Sequence, residues 1–244
     1  MSAEFSVLVA TAFSVGLIHT LLGPDHYVPF VAMSRTNGWS LKKTFSVTAM
    51  CGIGHVAGSI LIGAVGLFFG TVLMRLEMLE AIRGETAAWL LIGFGLAYLS
   101  WGILAAIRDI PHTHLHSHAD GTVHSHLHHH NFEHRHVHQA DEITGGGHRT
   151  AGSMTPWLLF VIFAFGPCEV LIPLLMYPAA EADVFSVIAV LIAFSFATIG
   201  TMLVVVMASV FGLRFVAIPT LHRYSHALAG FAVLVCGICV KIGW

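Results

Sequence analysis

The chain has 244 residues, 56% of them hydrophobic and 10% charged, with a formal net charge of −2 and a mean hydropathy of +0.81. Soluble domains carry roughly 25% charged residues, so this composition excludes a water-soluble globule and points to an integral membrane protein in a lipid bilayer. The near-neutral charge leaves nothing to attract a polyanion, and no nucleic-acid partner is expected.

Apolar segments long enough to cross a bilayer, roughly 20 residues each, fall approximately at 5–33, 44–74, 86–107, 155–180, 184–212 and 225–243. The fold expected is an all-α membrane protein of six transmembrane helices. Its organisation would be a first three-helix repeat over 1–107, a polar tract over 108–154 and a second three-helix repeat over 155–244. The opening Met-Ser-Ala-Glu-Phe has neither the basic region nor the small-residue cleavage site of a secretory signal, so the first apolar stretch should be retained as a helix.

The first and fourth segments read alike. Gly23-Pro24-Asp25-His26-Tyr27-Val28-Pro29 matches Gly166-Pro167-Cys168-Glu169-Val170-Leu171-Ile172-Pro173 in position within its half. Proline removes a backbone donor and clashes with the preceding turn, so each of these helices should be broken at Gly-Pro. Matching breaks in two halves are a pointer to a transporter's binding site. With three helices per half, the copies enter the membrane from opposite sides, as a 3+3 inverted repeat.

Ionisable groups inside a span are costly and face a pathway. Here they are His19, Asp25, His26, His55, Cys168 and Glu169. His19 and His26 are seven residues apart, two helical turns, and Cys51 and His55 stand at i, i+4, so each pair can share a face. Imidazole, carboxylate and thiol together suit borderline divalent metals such as nickel, cobalt or zinc, and not magnesium or calcium. These six residues are therefore the expected metal ligands. The ion would be substrate, and no organic cofactor is expected.

Thirteen of the eighteen histidines lie in the polar tract: His112, His114, His116, His118, His124, His126, His128, His129, His130, His134, His136, His138 and His148. Such a tract cannot build a core and reads as a flexible, metal-collecting loop. Arg35, Lys42, Lys43, Arg108, Arg135, Arg149, Arg214 and Arg223 gather on its side of the membrane, against Arg75, Arg83 and Lys241 on the other. By the positive-inside rule the tract is cytoplasmic and both termini lie outside, in a multi-pass protein of the cell (inner) membrane.

Several features read as packing. His222 and His226 suit a membrane interface, and Cys236 and Cys239 suit small core residues in an apolar helix. Glycines such as Gly58, Gly93, Gly95, Gly102, Gly230 and Gly237 permit close helix contact. A GxxxxGK[ST] phosphate loop is absent, so no ATP-driven step is expected, and neither is an enzyme activity.

The motifs resemble those of the nickel/cobalt permease superfamily. Its signature of a His, four residues and Asp-His is approached by His19-Thr-Leu-Leu-Gly-Pro-Asp25-His26, with five residues between, and its following Gly-His pair by Gly54-His55. The six-helix size and histidine-rich centre look more like its compact branches: nickel/cobalt resistance exporters and urease-accessory transmembrane proteins, often grouped with TauE/SafE-type exporters. The resemblance implies transition-metal translocation, with His19, Asp25, His26 and His55 as counterparts of the metal-binding residues. A collector loop favours export, although it would also serve an importer that passes metal to a cytoplasmic acceptor protein. A membrane-tethered metal store or sensor ranks below both. The Gly-Pro-Cys break also resembles transmembrane thiol–disulfide conduits of the DsbD/CcdA type, the alternative reading. That chemistry needs two sulfurs; with Asp25 at the first break, Cys51 would have to partner Cys168.

Overall fold

The computed structural model describes residues 3–68, 73–107, 112–117, 123–128, 155–166, 168, 170–181, 183–213 and 224–243. In chain order these form α1 (Ala3–Leu22), a 3-10 turn (Pro24–His26), α2 (Val28–Thr36), α3 (Leu41–Phe68), α4 (Leu73–Ile107), β1 (His112–Ser117), β2 (Val123–His128), α5 (Thr155–Phe165), α6 (Leu171–Ala180), α7 (Val184–Leu213) and α8 (Ser225–Lys241). Outside 112–128, every regular element described is helical.

Four helices are long and apolar enough to span a bilayer: Ala3–Leu22, Leu41–Val65, Arg75–Ile107 and Val184–Leu213. Pro156–Phe165 and Ser225–Lys241 are apolar but shorter. The exterior is correspondingly apolar, with Leu61, Trp89, Phe185, Phe196 and Val204 all more than half exposed. A soluble protein would not display so continuous an apolar surface; it marks a membrane protein.

The expected break in the first segment is present. Gly23 N–H reaches the His19 carbonyl at 3.0 Å, closing α1. Pro24 has no N–H to continue the ladder, and a single 3-10 turn follows before α2 restarts. In the fourth segment, α5 stops at Phe165 and α6 begins at Leu171, with Leu171 N–H on the Cys168 carbonyl at 2.9 Å. Pro167 lies outside the described residues.

The third segment differs from expectation. Its helix begins at Leu73, not near 86, and runs for 35 residues, about 52 Å at the α-helical rise. Leu, Met, Glu, Arg and Ala are all strong helix formers, so the charged stretch 75–85 continues the helix and does not form a loop.

Packing follows a reciprocal pattern. α1 lies along α7, α3 lies against α5 and α7, and α4 runs the length of α8. In the α4–α8 seam, a Cβ on Gly95 would collide with the Leu234 backbone and one on Gly102 with that of Ala227. From the other side, Gly230 lies against the Leu99 backbone and Gly237 against Ile92. Absent side chains let the two main chains touch. Gly93, by contrast, has open space around it.

Two apolar clusters fill the interior, one around Phe30, Met33, Cys51, Leu159, Phe163 and Met202, the other around Ala12, Cys168, Leu171, Val190 and Phe194. Asp183 precedes α7 and accepts hydrogen bonds from the backbone N–H groups of Phe185 (3.1 Å) and Ser186 (3.2 Å) and from the Ser186 hydroxyl. These donors hold its carboxyl below the usual carboxylate range, the Ser186 hydroxyl contributing most.

A candidate metal site at two broken helices

The first break brings three imidazoles together. His19 stands in the last turn of α1, His26 at the end of the 3-10 turn, and His55 midway along α3. The His26 ring centre is 4.8 Å from that of His19 and 5.0 Å from that of His55, both edge to face. His26 and His55 are each 2% exposed. The second break adds Cys168, which is fully buried. One ligand atom from each of His19, His55 and Cys168 lies within 4.8 Å of the others.

The hydrogen bonding of these rings is incomplete. The Nε2 atoms of His19 and His26 are buried without a hydrogen-bond partner, and neither ring nitrogen of His55 makes a hydrogen bond of normal geometry. Buried polar atoms are rarely left in this state. One nitrogen each of His19 and His55 with the Cys168 sulfur forms a compact electron-pair donor set, with the unpartnered Nε2 of the neighbouring His26 ring beside it. Imidazole and thiolate in a nearly tetrahedral shell suit zinc, cobalt and nickel.

His26 Nδ1 lies 3.2 Å from both the Gly23 carbonyl and Asp25 Oδ1. Both partners accept, so Nδ1 carries the hydrogen and Nε2 keeps its lone pair. A carboxylate behind an imidazole is the usual way to orient a metal-binding histidine. The structure thus places Asp25 behind His26, outside the His19–His55–Cys168 group.

Local sequence accounts for the close fit. A Cβ at Gly166 would lie 2.9 Å from His55 Nδ1, and one at Gly23 would lie 2.6 Å from His26 Nδ1. The glycines of the two Gly-Pro breaks therefore make room for the rings as well as ending the helices.

A charged network missed by the sequence reading supports the second break. Arg83 Nη2 donates to the carbonyls of Ala164 (3.0 Å) and Gly166 (3.1 Å), two acceptors left by the end of α5. Arg83 Nη1 donates to Glu80 Oε1 at 2.6 Å and to Ser59 Oγ at 3.1 Å. Glu80 Oε2 in turn accepts from the backbone N–H of Cys168 and the Ser59 hydroxyl, both at 3.3 Å. Glu80 is 1% exposed. Gly58, expected to serve helix packing, clears the Arg83 guanidinium, which a Cβ there would overlap.

Of the other expected residues, Glu169, His118, His129, His130, His134, His136, His138, His148 and His222 lie outside the described residues. His226 packs against Trp101, with its Nδ1 2.9 Å from the Tyr98 hydroxyl. All four cysteines are free, and Cys51 and Cys168 belong to different apolar clusters. A cavity of about 710 Å³ opens between α2, α7 and α8, its lining running along α2 from Thr36 and Arg35 to Tyr27, next to His26.

Comparison with family models, with curated proteins and with solved structures gave no match. The functional reading therefore rests on this geometry.

Proposed function

We propose that the chain is a secondary membrane transporter of divalent transition-metal ions, nickel or cobalt first and zinc next, working as an exporter. The observation that carries this reading is the set of buried, unpartnered imidazole nitrogens of His19, His26 and His55 beside Cys168, at the point where two helices are interrupted. A structural histidine would have its nitrogens paired; these are left for an ion.

The ion binds to His19, His26, His55 and Cys168, with Asp25 holding the His26 ring; Glu169, the next residue in sequence after Cys168, is the further ligand expected from the sequence. Imidazole binds metal only when neutral, so proton and metal compete for the same nitrogens. The reciprocal packing of α1 on α7 and of α5 on α3 supports two inverted three-helix halves with the site at their interface. In that arrangement all six apolar segments cross the membrane, two of them as broken helices. The termini lie outside, and the histidine-rich tract lies in the cytoplasm, where it gathers metal or exchanges it with a donor or acceptor protein. The likeness of the His19–His26 and Gly54-His55 motifs to nickel/cobalt transporters supports the same cargo. The thiol–disulfide alternative gains nothing from two cysteines in separate clusters.

The test is elemental analysis of cells with and without the chain, compared with a His26→Ala variant present at equal membrane abundance. Export lowers the cell content of one metal, and the variant restores it. Unchanged nickel, cobalt and zinc would end the transport reading; a raised content would reverse the direction.

A further inference from the structure

A threonine inside a helix commonly satisfies its hydroxyl on the carbonyl four residues earlier. Thr11, Thr20, Thr36, Thr44 and Thr86 do so, on Val7, Gly16, Ala32, Ser40 and Ile82, at 2.7–3.1 Å. Thr48 on α3 and Thr198 on α7 do not. Both are buried, Thr48 at 1% exposure and Thr198 completely, and neither hydroxyl has a hydrogen-bond partner in the protein. A buried hydroxyl left in this state is costly. A packing role would be served as well by valine, which has nearly the same shape and no hydroxyl to leave unpaired.

Both threonines stand in register with the histidines. Thr198 Oγ1 lies 3.2 Å from where a Cβ on Gly16 of α1 would stand, and a Cβ on Gly52 of α3 would meet the adjoining Ile199 at 3.4 Å. Gly16 is three residues before His19, and Gly52 three before His55. At Thr198, α7 thus meets both histidine-bearing helices within a turn of their rings.

Thr48 precedes His55 by seven residues, two turns, and so shares its face at about 10 Å along the axis. Thr44, Thr48, His55 and Ser59, all buried, form one polar stripe along α3. It begins where Thr44 Oγ1 meets Ser34 Oγ at 2.7 Å, beside Lys42 and Lys43. It ends where Ser59 joins Glu80 and Arg83. Polar side chains buried within a membrane span characteristically face an ion path.

We propose that Thr48 and Thr198 are two further binding positions on the ion's route, Thr198 beside the histidine site and Thr48 on its approach along α3. Each offers a hydroxyl oxygen to a divalent cation that keeps part of its water shell. Neutral oxygen holds nickel or cobalt less firmly than imidazole does. Such positions pass an ion onward, since conduction needs binding firm enough to admit it and weak enough to release it. This inference rests on the transport reading and names the path within it.

The experiment follows the initial rate at which radioactive nickel leaves preloaded cells, with each variant at equal membrane abundance. Nickel affinity of the purified chain is titrated in detergent alongside. Thr48→Val and Thr198→Val should each slow nickel movement at least about tenfold, the scale of one lost hydrogen-bonding group opposite a charge. Thr48→Val should leave affinity within about threefold of the parent, because the histidine site itself is intact. Thr48→Ser and Thr198→Ser, which keep the hydroxyl, should recover most of the rate. Thr20→Val removes a buried hydroxyl that is already satisfied within its own helix, and should keep nearly the parent rate. Valine variants as fast as the parent, serine variants as slow as the valine ones, or an equal loss in Thr20→Val would overturn the proposal. A parent chain that moves no nickel, cobalt or zinc would instead end the transport reading, and this route with it.

Discussion

Glu80 on α4 accepts a hydrogen bond from the backbone N–H of Cys168 at 3.3 Å, tying a carboxylate far along the chain to the residue that supplies the site's only described sulfur. With Arg83 on the Ala164 and Gly166 carbonyls, the pair supplies to the second break the partners that a continuous helix would have provided. Buried ion pairs usually contribute little net stability because desolvation offsets attraction. This pair differs because its remaining donors and acceptors are spent on otherwise unsatisfied backbone.

Replacing Arg83 with Met should destabilise the protein by about 3 kcal/mol, the range for a buried pair that loses one partner. More telling is Glu80→Leu combined with Arg83→Leu. A simple ion pair would tolerate that exchange, but here it leaves the 164 and 166 carbonyls and the Cys168 N–H unpaired. Thermal unfolding in detergent should show the double variant still below the parent by at least about 2 kcal/mol. A double variant as stable as the parent would reduce the network to an ordinary buried pair.

Gly166→Ala should weaken metal binding at least tenfold, because the new Cβ lies 2.9 Å from His55 Nδ1 and forces the ring aside. Gly93→Ala meets nothing within 4 Å and should leave binding intact while slightly raising the unfolding temperature through its helix propensity. Titration of both purified variants with nickel checks the contrast. Equal affinities would mean that His55 does not bind the ion.

Asp25→Asn should lower metal affinity by about 10–100-fold, the usual effect of losing an orienting partner, without removing the site. His26→Ala should remove it. If Asp25→Asn matched His26→Ala in a binding titration, the carboxylate would be a direct ligand and not the group that orients His26.

The Asp183 cap gives a pH dependence. Its carboxyl is held below the ordinary range by Ser186 and Phe185, so the folded protein binds its proton less readily than the unfolded chain. The cap's contribution is thus complete above the unfolded carboxylate range and is lost as pH falls through the folded value. Protection of the amides at the start of α7, measured relative to the intrinsic exchange rate at each pH, should fall at acidic pH in the parent. In Asp183→Ala it should be low throughout, with no acidic transition.

Much of the site was legible in the sequence because its chemistry is unusual for a membrane span. His19, His26 and His55 stand out against apolar neighbours, and Gly-Pro at 23–24 announces the break that lets the first two rings meet. The role of Glu80 and Arg83 was hidden by their position beside other charges, which made 75–85 resemble a loop at a membrane surface. Only a helix starting at Leu73 turns them toward α5. A signal was present in the three-residue spacing of Glu80 and Arg83 among Leu76, Leu79 and Ile82, which places the pair on one face of a helix. Of the six expected segments, four contain a helix long and apolar enough to cross a membrane, α8 is shorter, and the fourth is divided into α5 and α6.

The glycine seam between α4 and α8 limits how the molecule can move. Side chains bend to let helices slide, but main chains in contact have nothing to bend, and an axial shift would drive the Gly95 and Gly230 contacts into the neighbouring turns. The α4–α8 pair is thus held in one axial register, and the same α4 bears the Glu80–Arg83 brace. In the proposed transporter, opening and closing around the histidines would fall to the helices outside this seam, with the interruptions after Leu22 and after Phe165 as their joints.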